Sequence, residues 1–216
     1  MQFPHAQKGV SKLFWAEIIA IVYGLLVIVG AILVAIAKGD SESRLAIAGG
    51  SIVLAGGVIA IVTFILQLIG LIQGSKDNLC FKIALFIVIF SIVASIVKVV
   101  LEKYAPNLDI VITILEVLIG VSAVLVMVYV ITGVSVMAEK VGDGRLADKG
   151  RFLCTVICGL YFVSIILGLF ELFFKNPNEG VVIMLRVFAI VAAVFQLVVY
   201  IMYLTYLSAA RKTLKK

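Results

Sequence analysis

Four ionisable residues stand inside or at the edges of long apolar stretches: Glu116 and Arg186, with Lys98 and Glu171 nearer the stretch ends. An ionised side chain costs about 3 kcal/mol at the centre of a bilayer and less toward its edge. Residues of this kind therefore turn toward protein neighbours or a water-filled cavity, and they mark function. Glu116 and Arg186 are 70 positions apart, and the same offset lays Ala123 on Ala193. Two acids and two bases at similar depth form a neutral polar cluster. It can be a Glu116–Arg186 ion pair that fixes helix register, in which case loss of either partner from a buried pair costs about 3–5 kcal/mol. It can instead be a polar site, open to the outer face, for a small solute or ion.

Enzyme chemistry finds little to work with. His5 is the one histidine, so no His-based triad and no multi-His metal site can form. There is no His-Glu-x-x-His, Gly-x-Ser-x-Gly or phosphate-binding glycine loop. Cys154 and Cys158 share a helical face without further ligands, and Gly142-Asp143-Gly144-Arg145 reads as a solvated turn. No enzymatic activity and no cofactor are expected. Cys80, Cys154 and Cys158 read as small packing residues. Gln67 and Gln196 read as hydrogen-bond partners between helices, and Tyr200, Tyr203 and Tyr206 as an aromatic belt at a membrane interface.

The elements that must position these residues are set by composition. Of 216 residues, 64% are hydrophobic and 14% charged, and mean hydropathy is +1.27. A soluble domain has about 45–50% apolar residues, so this chain has too much apolar surface to bury in a water-soluble core. Six apolar stretches, about 13–37, 45–73, 80–101, 108–138, 150–174 and 180–208, each exceed the length of about 20 residues that crosses a bilayer. Ala35-Ile36-Ala37 has the form of a cleavage site. The preceding run is too long for a signal segment, though, and Glu17 interrupts it, so it is expected to be retained. Lys and Arg divide twelve to six between the two sides, which places both termini in the cytoplasm. The net charge of +6 has the same origin, and no nucleic-acid partner is expected.

The stretches pair into three hairpins, about 9–77, 78–143 and 147–216, each opening on an aromatic residue, Phe14, Phe81 and Phe152. In each, the second helix is read as the longer. The second stretch carries Ala46, Gly49, Gly56, Ala60, Thr63, Gln67, Gly70 and Gly74 at spacings of three and four. Ala189, Ala193, Gln196 and Tyr200 repeat the pattern in the sixth, and Thr113, Glu116, Gly120 and Ala123 in the fourth. Weaker versions are Glu17, Ala20 and Gly24 in the first stretch and Ala84, Ser91, Ser95 and Lys98 in the third. Small residues on one helix face permit close approach in lipid. The second, fourth and sixth helices are accordingly expected to turn these faces inward about a pseudo-threefold axis.

This plan of three two-helix units is similar to that of the mitochondrial carriers. Their Pro-x-Asp/Glu-x-x-Lys/Arg signature is absent, and Pro4, Pro106 and Pro177 all lie outside the apolar stretches, so that family is excluded. The fold class expected is an all-α membrane protein, a single polytopic domain over 1–216 with six transmembrane helices. The first functional expectation is a non-enzymatic membrane interaction or structural protein, with the lipid bilayer and either a membrane-protein partner or a second copy as partners. The second is a small-solute or ion channel or transporter.

The orientation is testable directly. Single cysteines at Ser43, Asn107 and Asn178, in a chain lacking the native cysteines, should react with an impermeant thiol reagent from outside. Labelling at Ser75 or Asp143 in their place would reverse the assigned topology.

Overall fold

Proline at the first helical position extends the first helix well beyond its apolar stretch. Pro4 has no N–H to leave unsatisfied and its φ suits a helix, so α1 runs Pro4–Ile36 and takes in the polar N-terminal segment. The computed structural model describes residues 3–37, 44–105, 108–173 and 179–215, with the side chains of 46, 109, 165–173, 179–183, 185, 186 and 189 set aside. The remaining helices are α2 (Arg44–Gly74), α3 (Leu79–Tyr104), α4 (Asp109–Lys140), α5 (Gly144–Phe173) and α6 (Glu179–Thr213). All six are α-helices, and among the described residues five are long and apolar enough to cross a membrane. Their length and composition mark an integral multi-pass membrane protein. Because α1 has 33 residues and α2 has 31, the second helix is the longer one only in the later two hairpins.

Short polar turns join the helices at the end that carries both termini. Asp77 Oδ2 accepts the Ala6 N–H at 2.7 Å, satisfying a donor at the start of α1. Asn78 caps α3 by accepting the Cys80 N–H at 2.8 Å, and its amide donates to the Gly133 carbonyl of α4. Asp143 does the same work one hairpin later. Its Oδ1 accepts the Leu146 N–H at the start of α5, and its Oδ2 accepts the Thr213 hydroxyl from the end of α6. The gap between the apolar stretches 108–138 and 150–174 is therefore mostly helix, with a tight turn at Val141–Asp143 and Gly142 at φ +85°, where a glycine has no steric penalty.

Each helix packs on its neighbours in chain order, α1 closes the ring on α6, and α4 touches α6 across it. Among the described residues α2 makes no approach to α4 or α6. The expected convergence of α2, α4 and α6 is corrected here: the small stripe of α2 faces α1. A Cβ on Gly49 would meet the Gly30 carbonyl at 2.7 Å, one on Gly56 would meet Tyr23, and one on Gly70 would meet Leu13 and the Gly9 carbonyl. Ala60 is half-buried. Thr63 is buried and returns its hydroxyl to the Ile59 carbonyl. The cause is the length of α1. Its early start supplies Gly9 opposite Gly70, so two glycine pairs, about 21 residues apart along each helix, bring the backbones together.

Burial is concentrated toward the end with the termini. Val10 and Leu13, Leu71, Phe81, Ile131 and Met137, Leu153 and Leu207 form one core there. Farther along, Leu25, Ile28, Leu54, Val58, Val93 and Val194 are exposed, as suits surfaces that lipid covers. The glycine contacts can be checked by substitution. Gly9→Ala and Gly49→Ala should each destabilise the protein by about 1–3 kcal/mol, the scale of overpacking. Gly24→Ala and Gly57→Ala, where a Cβ meets nothing within 4 Å, should leave the unfolding midpoint in detergent unchanged or slightly raised.

Candidate functional site

Leu13 and Ala16 place one flank of α1 in the core, and Glu17 follows on the same flank. Its carboxylate is met by two neutral donors from different helices. Tyr200 of α6 donates its hydroxyl to Oε2 at 2.7 Å, and Gln67 of α2 donates its amide to Oε1 at 3.3 Å. The Tyr200 oxygen also lies 3.2 Å from the Glu17 carbonyl. Among the described residues, no Lys, Arg or His lies within ion-pair distance of Glu17.

Glu17 and Gln67 line a cavity of about 540 Å³ between α1, α2, α3, α4 and α6. Ser91 and Ser95 reach it from α3, Ser122 from α4 and Tyr203 from α6. Phe64, Val88, Ile92 and Val126 make its walls mostly apolar. Two of the serines have their protons committed to their own helices: Ser95 donates to the Ser91 carbonyl at 2.8 Å and Ser122 to the Leu118 carbonyl at 2.7 Å. Next to this cavity, Ala193 and Gln196 of α6 line a second one of about 380 Å³, together with Met127 and Tyr200.

Two of the four charges singled out in the sequence, Lys98 and Glu116, lie elsewhere. Lys98 Nζ stands 3.4 Å from Glu116 and 3.6 Å from Glu102, near the end opposite the termini. The Glu116 side chain is 68% exposed and that of Lys98 23%. Glu116 is thus paired across α3 and α4, at an exposed position, and the cost expected for a buried pair does not apply to it. The side chains of Arg186 and Glu171 lie outside the described residues.

The tyrosines also depart from the expected belt. Tyr203 is only 3% exposed, and the buried Tyr206 hydroxyl meets Ser135 Oγ at 2.8 Å. They face inward because the last four turns of α6 are packed between α1, α4 and α5, where a tyrosine hydroxyl needs a partner. Trp15 is instead the aromatic residue left at the surface near this end. It is 52% exposed, and the Arg211 guanidinium lies 4.7 Å from the Phe14 ring and 6.0 Å from that of Trp15.

Gln67 as a bond between helices is found as expected. Glu17 as the centre of the site is not legible from depth or repeat position, because it lies close to a polar segment. The signal that points to it is its place on the first-helix stripe, beside the Ser91 and Ser95 stripe of α3. Comparison with known protein families, curated proteins and solved structures finds no match.

The exposed pair sets its own test. Glu116→Gln and Lys98→Met should each change stability in detergent by less than about 1 kcal/mol, the scale of exposed ion pairs. A loss of several kcal/mol in chemical denaturation would show that Glu116 is buried after all.

Proposed function

We propose that the protein is a non-enzymatic transporter or channel-type protein that takes a small solute or ion into the Glu17 cavity. The single observation that carries this reading is the Glu17 carboxylate: it stands on a cavity wall inside the bundle, bonded to neutral donors and with no described basic side chain beside it. A structural lock would have its counter-charge built in. A carboxylate facing apolar walls is costly unless a cation or a proton joins it.

In this reading all six helices cross the membrane, and the three hairpins are related units. Asp77 and Asp143 support that relation, since each fastens the close of its hairpin to another helix. Both termini are cytoplasmic. The Trp15–Arg211 contact then marks the cytoplasmic interface, and Glu17 lies just beyond it on the membrane side. The site is nearer the cytoplasm than the outer polar cluster expected from sequence. The alternative of an interaction or structural protein draws support from the exposed apolar faces distant from the core, but it gives Glu17 no task.

Proteoliposomes provide the test. Gradients of protons, sodium, potassium and small amines are imposed in turn, and flux is followed with potential- and pH-sensitive dyes. Wild-type protein should carry at least one of these, Glu17→Gln should lower that flux at least tenfold, and Glu116→Gln should leave it within twofold. Equal flux through wild type and Glu17→Gln would sink the proposal.

A further inference from the structure

We infer that the Glu17 cavity binds a singly charged organic amine, with the ammonium group on Glu17 and an apolar body among the walls. This inference rests on the reading of the cavity as a solute site and names the class of solute.

The charge comes first. One carboxylate with no described basic neighbour presents one negative charge, which a monocation balances and a dication does not. Among the described residues no three His, Cys, Asp or Glu side chains converge, whereas divalent calcium takes six to eight oxygens, several of them carboxylate.

The pattern of donors and acceptors comes second. Glu17 accepts from Tyr200 and Gln67 but has further lone pairs. Gln67 has an amide oxygen to offer. Ser95 and Ser122 have already given their protons to helix carbonyls, so their oxygens can only accept from a ligand. The polar lining therefore asks for N–H donors, as an ammonium group supplies, and a carboxylate or phosphate would find few partners. Tyr203 can serve as donor or acceptor.

Size and walls come third. About 540 Å³ falls in the range of small-molecule sites, roughly 300–1,000 Å³. A bare sodium or potassium ion would leave Val88, Ile92 and Val126 without contact. An apolar body fills that space, and Phe64 adds an aromatic ring to the lining.

The experiment uses the full chain in lipid nanodiscs and benzylammonium as the probe, by calorimetry, with benzyl alcohol, benzoate and sodium as comparisons. Benzylammonium should bind saturably, at least tenfold more tightly than benzyl alcohol or benzoate. Glu17→Gln should weaken it at least tenfold. Ser91→Phe, which fills the cavity from α3 and leaves Glu17 in place, should abolish it with the unfolding midpoint retained. This second variant keeps the test decisive if Glu17→Gln folds poorly. Equal binding of benzyl alcohol, or benzylammonium binding unchanged in both variants, would overturn the inference. If sodium or protons act in a Glu17-dependent way and benzylammonium does not, the amine assignment falls while the solute site stands. If nothing depends on Glu17, both fall.

Discussion

A carboxylate within a bundle of apolar helices has to be met by donors, and the way Glu17 is met organises this molecule. Its two oxygens draw Gln67 from α2 and Tyr200 from α6 onto α1. Contacts between apolar side chains are non-directional and tolerate sliding. A hydrogen bond at 2.7 Å does not. The Tyr200–Glu17 bond joins two helices 183 residues apart in the chain and closes the ring between the first helix and the last. The α1–α2 pair supplies the rigid side of that closure. Its backbones meet at two glycine contacts, so Gln67 has little freedom relative to Glu17.

The cavity is a consequence of this closure together with the burial gradient. Toward the termini, large side chains such as Phe81, Ile131, Met137 and Leu207 fill the space between helices, and the turn residues Asp77, Asn78 and Asp143 fix the helix ends. Beyond Leu13, small or polar residues, Ser91, Ser95, Ser122 and Ala123, face the middle between larger apolar ones. Native interiors are close-packed. Empty volume lined by serines and a carboxylate is hence a different kind of feature from the filled core next to it. The same small residues that keep the space open also supply its acceptors.

The helices and their membrane class were legible in the sequence because hydropathy alone marks stretches of twenty or more apolar residues. The small-residue stripe of α2 was legible as a packing face, and Gly49, Gly56 and Gly70 do make close contacts. Its partner was not legible. A stripe reports that something comes near without saying which helix, and the answer depended on α1 beginning at Pro4, inside a segment whose charges made it look like a tail. The polar run after α4 misled in the same way. Glu139 and Arg151 sit on helices and pair with each other across a three-residue turn at 2.8 Å. Charge along a sequence marks exposure to water, and long helices that project beyond the bilayer carry such charge without ending.

The choice between candidate sites turns on partners more than on depth. Lys98 lies between Glu116 and Glu102, at 3.4 and 3.6 Å, so this group holds a cation of its own that meets one of its two negative charges. A cation arriving there displaces or competes with an ammonium already in place. Among the described residues Glu17 has only dipoles beside it. Two opposite unit charges 4 Å apart attract by about 4 kcal/mol at an effective dielectric constant of about 20. That is roughly three powers of ten in affinity before the cost of stripping water from the cation. Hydrogen bonds from Tyr200 and Gln67 stabilise the carboxylate without cancelling its charge. The attraction is thus reserved for whatever enters the cavity, and the apolar walls favour an occupant that brings only one charged group with it.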